Sequence, residues 1–163
     1  MKRLILAFCL FLSSFAAVAE TADAALTKQV NAFVDGWHDD AANSRMAYFD
    51  KIAKDGVYIG TDKTELWNRE EFKAYAKPYF DRKKGWAMKP IRRNVYSTPD
   101  KHIVWFDELL DTSMGVCQAT GVIHRTPTGF EIEHYQLSMA VPNDVSKSVT
   151  KTIKEFEAKG PAK

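Results

Sequence analysis

Cysteine is nearly absent from this chain. Cys9 lies in the apolar stretch that opens the sequence, and Cys117 stands alone after it. No disulfide within residues 20–163 can staple the fold, so a hydrophobic core has to hold it. Cys117 reads as a small buried hydrophobe. An excess of charge is missing too. The chain carries 23 Lys and Arg against 21 Asp and Glu, and two of the basic residues, Lys2 and Arg3, belong to the opening segment. The remainder is balanced, and no basic cluster runs beyond two or three residues. That argues against nucleic acid and against an anionic membrane surface as partners, because both need surplus positive charge. No Gly-rich phosphate loop and no nucleophile elbow occurs. The four histidines, His38, His102, His124 and His134, show no metal-ligand spacing. The expectation is no metal and no cofactor. Internal repeats, low-complexity tracts and linkers are also lacking.

The one long apolar run is at the start. Lys2 and Arg3 precede Leu4 to Phe15, and Ala17, Val18 and Ala19 supply small residues for a peptidase. This is the layout of a cleaved secretory signal over residues 1–19, with Glu20 as the first mature residue. The run falls short of the ~20 apolar residues a membrane span needs. The expected product is periplasmic or secreted, with no membrane attachment after cleavage. Residues 20–163 then form one domain.

Leu26, Val30, Phe33, Val34 and Trp37 fall at helical spacing and predict a helix over 26–38. A second helix is expected over 42–53, closed by Gly56, then a short strand at Val57–Ile59. Asn68 and Glu71 have the spacing of a capping box. The helix they open carries Phe72, Tyr75, Ala76 and Tyr79, and Pro78 is expected to kink or end it. From Pro90 the period changes from helical to alternating. Strands are expected over 91–97, 102–110, 114–125 and 130–141, joined by short turns as an antiparallel meander. A last helix over 144–158 is expected to be capped by Asp144. Helices first and antiparallel strands afterwards give an α+β class. Four long strands and one short strand curled around three helices enclose a pocket.

Several stretches in order carry a resemblance: Trp37 and His38, Asp55 to Thr61, Glu65 to Trp67, Phe72 to Pro78, Trp105 to Glu108, Gly121 to Ile123, and Gly129 to Ser138. Together they resemble the SnoaL-like branch of the nuclear transport factor 2-like superfamily, over residues 26–143. The resemblance implies a conical α+β fold, a pocket inside the cone, and a homodimer formed through the sheet. Members include cyclases, isomerases, epoxide hydrolases, dehydratases and catalytically inert modules. The catalytic ones commonly use a pocket Asp or His as acid or base. Two positions depart from the pattern: Phe130 stands where a Trp is typical, and Gln136 where a second His is often found.

The candidate chemistry centres on Asp107 and Glu108, adjacent carboxylates in an apolar strand. Neighbours in a strand point to opposite faces. Ile103, Trp105, Asp107 and Leu109 share one face; Val104, Phe106, Glu108 and Leu110 share the other. One carboxylate enters the cone, where it acts as general base or pairs with an arginine. The slight preference is Asp107. His134 is grouped with Phe130, Ile132, Gln136 and Ser138, either as a polar line inside the cone or as part of a dimer face. Arg93 is expected to fix an acidic ligand or to pair with Asp107 or Glu108. Tyr58, Trp67 and Tyr75 flank the loop from Gly60 to Thr64 at the cone's mouth. With Arg93, Trp105 and Gln136 they are the candidate ligand-binding residues. The partner expected is a small apolar or aromatic molecule. Either the protein binds it, with or without cofactor-free acid–base chemistry, or the cone is filled by its own side chains.

Overall fold

Apolar residues three and four apart make the first helix and decide which side of it is buried. The computed structural model describes residues 20–160; the expected leader, residues 1–19, lies outside them. A short strand, β1 (Glu20–Thr21), precedes α1 (Ala24–Ala42). Asp23 caps α1 by accepting from Leu26 N at 2.8 Å. Val30, Val34, Trp37, His38 and Ala41 form its buried side. The next helix, α2, is shorter than expected, Ala47–Asp50. Ile52 and Ala53, read as helical from their spacing, instead begin β2 (Ile52–Ile59). Gly56 does not stop a helix. It sits where β2 shifts register against a neighbouring strand, and a Cβ there would meet Ile132 O at 2.7 Å.

β3 (Leu66–Asn68), a strand the pattern did not reveal, leads into α3 (Arg69–Asp81). Its capping box is formed: Glu71 N donates to Asn68 Oδ1 at 3.0 Å and Asn68 N to Glu71 Oε2 at 2.9 Å. Pro78 does not end the helix, which runs on to Asp81. It lies in the last turn on the exposed side, where the carbonyl left without a donor is open to solvent and the lost hydrogen bond is tolerated.

Four long strands follow: β4 (Met88–Ser97), β5 (Ile103–Thr112), β6 (Gly115–Thr126) and β7 (Gly129–Met139). They pair antiparallel in sequence order, as expected, while β2 joins β7 in parallel. The sheet reads β1-β4-β5-β6-β7-β2-β3. A turn of 3-10 helix (Asn143–Val145) leads to α4 (Ser146–Ala158). Asp144 belongs to that turn and does not cap α4; Val145 holds the cap position, with no side-chain bond.

The core lies between α1, α3 and one face of the curved sheet. It is largely aromatic. Trp37 stacks on Tyr48 at 4.9 Å and donates from Nε1 to Tyr48 O at 3.0 Å. Tyr135 stands edge-on to Trp37 at 4.8 Å. Phe49, Phe72, Phe80 and Phe106 fill the remaining space. Much of the cone's interior is therefore occupied by its own rings, and the space left open is at one end.

Candidate functional site

At that end β2 passes into β3 through the loop Gly60–Glu65. The loop is bonded to itself: Gly60 N donates to Glu65 O at 2.9 Å, Asp62 N to Glu65 Oε2 at 3.1 Å, and Thr64 N to Asp62 Oδ1 at 2.8 Å. Behind it the rings form a continuous stack. Trp67 lies on Tyr75 at 4.6 Å and on Phe72 at 5.4 Å, and Phe72 lies on Tyr58 at 3.9 Å. Offset stacks of this kind add attraction beyond area burial. Trp86 and the β5–β6 turn at Met114 close the far side. The space between measures about 260 Å³. Tyr58, Trp67 and Tyr75 thus meet around one cavity, with Gly60, Thr61 and Glu65 on its rim. Among the described residues no Lys, Arg or His lines it, and Glu65 is its one carboxylate. Burial pushes the Tyr58 phenol well above its ordinary range, so its hydroxyl stays protonated. Trp86 and Met114 escaped the sequence reading because their turns lie far apart in the chain.

The buried carboxylate is Glu108, only 1% exposed. This corrects the preference for Asp107. The register places Arg93 of β4 directly across from Glu108, and Arg93 Nε donates to Glu108 Oε2 at 2.8 Å. His38, 3% exposed on α1, contributes Nε2 at 2.8 Å from Oε1, and Tyr135 Oη donates to the same oxygen at 3.2 Å. With a proton on Nε2, the imidazole donates, and its buried Nδ1 has no partner among the described residues. Arg93 Nη1 reaches on to Asp35 Oδ1 at 2.9 Å and Asn31 Oδ1 at 3.3 Å, both on α1. Burial alone would raise the Glu108 pKa. The hydrogen bond and charge of His38, then those of Arg93, outweigh it and hold the carboxyl below its ordinary value. Burial, and after it the Glu108 charge, push the Tyr135 phenol far up.

Glu108 is therefore an ionised clamp between α1 and the sheet. It does not line the cavity. Tyr58 does, and its ring lies 5.4 Å from that of Tyr135, so two aromatic residues stand between the space and the carboxylate. His38 ends the helix expected over 26–38 and is not among the candidate site residues. Its spacing of four from the buried Val34 was the available sign that it points inward.

The remaining candidates lie on the opposite, outer face of the sheet. Asp107 accepts from Asn94 Nδ2 at 2.9 Å and from Tyr96 Oη at 3.1 Å. Trp105 stacks beside Tyr96 at 6.0 Å. Gln136 pairs with Thr120, which pairs with Asp107. A shallow hollow of about 220 Å³ opens among Asp107, Gln118, Thr120, Gln136 and Ser138. His134 joins this face, and its grouping with Ile132 fails. An irregularity in the β6–β7 pairing leaves Glu133 without an opposite number, so the alternation changes phase there. Ile132, Tyr135 and Leu137 turn inward, while His134 and Gln136 turn outward. The candidate residues thus divide into three places: Tyr58, Trp67 and Tyr75 at the mouth; Glu108 and Arg93 inside; Asp107, His134, Trp105 and Gln136 outside.

A family model for the SnoaL-like domain matches residues 30–142. Solved structures agree in fold. A nuclear transport factor 2-like protein of unknown function from Pseudomonas putida KT2440 superposes with a TM-score of 0.60 at 12% identity, covering 77% of this chain and 94% of that one. A cystatin-like fold protein from Burkholderia xenovorans LB400 gives 0.60 at 15% identity, covering 77% and 100%. A candidate ketosteroid isomerase from Parabacteroides distasonis ATCC 8503 gives 0.53 at 19% identity, covering 75% and 96%. At these identities the likeness shows the fold alone. No curated protein sequence matches the chain.

Proposed function

This chain belongs to the SnoaL-like domain family, and on that premise we propose that it binds a small, flat, neutral molecule of apolar or aromatic character in the cavity at the cone's mouth. The observation that carries the reading is the stack of Tyr58, Phe72, Trp67 and Tyr75 along an open space with no cationic group in its lining. A flat ring continues that stack. An anion finds no partner there and meets Glu65. The volume is just under the ~300–1,000 Å³ of sites for drug-sized ligands, which suits one or two rings. Hydroxyls of Thr61 and Ser113 supply the few polar contacts that fix orientation.

Binding fits the geometry better than acid–base catalysis by Glu108. That carboxylate is ionised, held by three side chains and absent from the cavity wall. A general base has to reach the proton it takes, directly or through one water.

The test is titration with prodan, a neutral dye built on naphthalene. Expected are a blue shift of its emission and quenching of tryptophan fluorescence. Trp67→Ala and, separately, the more exposed Tyr75→Ala each weaken binding by about tenfold, or about 1.4 kcal/mol. Unchanged affinity in both variants, or no binding by the parent protein, sinks the reading.

We propose in addition that two copies associate through the outer face. Neither α1 nor α3 covers it, yet Trp105, Leu109 and Val122 lie there half-buried among polar residues. Self-complementary contacts of that mixed kind are what a two-fold interface needs.

A further inference from the structure

The last helix, α4, buries none of its residues. Its composition is not that of a solvated spacer. Val145, Val149, Ile153 and Phe156 recur at spacings of four, four and three and make one stripe. Val145 and Ile153 are exposed, and Phe156 is 73% exposed. Single exposed apolar residues are ordinary, whereas a stripe of four is a surface suited to being covered.

Where the helix is attached indicates what covers it. It leaves the sheet beyond β7, whose Leu137 lines the mouth cavity. Ala140 N donates to Val116 O at 2.9 Å, so the departing chain is fastened two residues from Met114, another lining residue. At the other end Glu157 forms an ion pair with Lys63. Lys63 belongs to the Gly60–Glu65 loop, three of whose residues line the same cavity. A helix of about 20 Å is thus tied at both ends to the cavity's rim.

The tie leaves the helix free to roll. The Lys63–Glu157 pair is exposed on both sides, and such pairs contribute little rigidity. At about 100° per residue, Glu157 sits roughly a quarter turn from the centre of the stripe. Rolling by that much about the Lys63 contact turns Val149, Ile153 and Phe156 toward the mouth. The mouth has unfilled apolar surface to meet them, since Tyr75, Tyr79 and Met114 are exposed there.

We propose that α4 is the missing wall of the binding site, and that Val149, Ile153 and Phe156 close over the part of a bound ligand that protrudes from the cavity. This rests on the ligand-binding reading above and extends it: a two-ring ligand with substituents at both ends, as prodan is, is longer than the cavity alone accommodates. The stripe has two other conceivable occupants. One is a second copy of the chain. The other is an anionic lipid surface, since Lys147, Lys151 and Lys154 sit opposite the stripe as on interfacial helices.

The test uses the full chain with prodan and takes two readouts. Tryptophan quenching reports occupation of the cavity, and hydrogen exchange over residues 146–158 reports the helix. Expected is a slowing of that exchange by about fivefold at saturating prodan, independent of protein concentration. The doubly substituted Ile153→Asp/Phe156→Asp protein removes only exposed groups. It keeps the quenching, loses the protection and releases prodan about fivefold faster. Quenching without protection overturns the wall and leaves the cavity standing. Protection that grows with protein concentration in the absence of dye assigns the stripe to a second copy. Protection by anionic vesicles alone assigns it to lipid. Either result overturns the proposal. Absence of quenching removes the cavity reading and this one with it.

Discussion

Glu108 lies 1% exposed against an arginine, a histidine and a tyrosine, whereas Asp107, one residue earlier, lies half-buried beside an asparagine and a tyrosine on the other side of the same strand. The two carboxylates have the same chemistry and opposite surroundings. A charge taken out of water has to find charged or strongly polar partners, or else protonate. The inner face supplies Arg93 and His38. The outer face supplies neutral donors and relies on water for the rest. The inner carboxylate therefore belongs to the architecture, while the outer one is free to serve a surface.

The largest effect is expected from removing the inner carboxylate. Glu108→Ala leaves the Arg93 guanidinium, whose side chain is 4% exposed, without its buried counter-charge. Arg93 keeps only the half-exposed Asp35 as a charged partner, so the cost is expected near the lower end of the ~3–5 kcal/mol for breaking a buried pair. Urea unfolding measures it, and a loss under about 1 kcal/mol means that the clamp contributes little. The paired substitution Glu108→Leu with Arg93→Met is expected to recover the part of the loss due to the stranded guanidinium, while His38 Nε2 and Tyr135 Oη stay without their acceptor. If the pair remains as unstable as the single variant, the loss comes from those two donors or from packing, and not from the stranded charge.

Acid sharpens the same contrast with a smaller effect. The Glu108 carboxyl in the folded chain is held below its ordinary value of 4.5. A lowered folded value means that the unfolded chain takes up protons first as pH falls. The stabilisation is therefore complete above the unfolded value and is lost as pH falls from about 4.5 through the lower folded value. Asp40 behaves similarly: burial raises it, but Lys51 and Arg45 bring it below its ordinary value. Its contribution is common to the parent and to Glu108→Gln and cancels between them. The stability gap between those two proteins is expected to narrow as pH falls below about 4.5. A gap that is flat down to pH 3 rules out the lowered value.

The grouping of Val104, Phe106, Glu108 and Leu110 on one face was legible from alternation alone. The choice between the faces was not, because each holds one carboxylate among apolar residues. It was settled by Arg93 across the ladder and by His38, 70 positions earlier in the chain. The mouth was legible in Tyr58, Trp67 and Tyr75 because aromatics flank a Gly-containing loop. His134 was misplaced because an unpaired residue at Glu133 changes the phase of a strand without changing its composition. Secondary structure shows the same division. The capping box at Asn68 and the four long strands are local patterns. The extension of β2 back to Ile52 depends on β7 lying alongside, which local spacing does not express.

The smallest change is expected at Asp107, and it separates the two carboxylates most directly. Asp107→Asn keeps an acceptor for Asn94 Nδ2, and its new amide can donate to the Tyr96 hydroxyl. No buried cation loses a partner. The monomer is therefore expected to change by less than about 1 kcal/mol, the net value of an ordinary hydrogen bond. What Asp107 affects is the outer face. Asp107→Lys reverses the charge in the hollow lined by Gln118, Thr120, Gln136 and Ser138. If two copies meet there, association weakens by about tenfold, while urea unfolding at low concentration stays close to that of the parent. Sedimentation velocity over a concentration series reads the first quantity. Lys147→Glu on α4 serves as the charge-change control away from the sheet. A parent protein that stays monomeric at its highest soluble concentration removes the outer interface altogether. Association that weakens equally in Asp107→Lys and Lys147→Glu moves the contact off this face and leaves the Asp107 hollow as solvated surface. A loss confined to Asp107→Lys assigns the two neighbours separate tasks, Glu108 in holding α1 to the sheet and Asp107 in holding one chain to another.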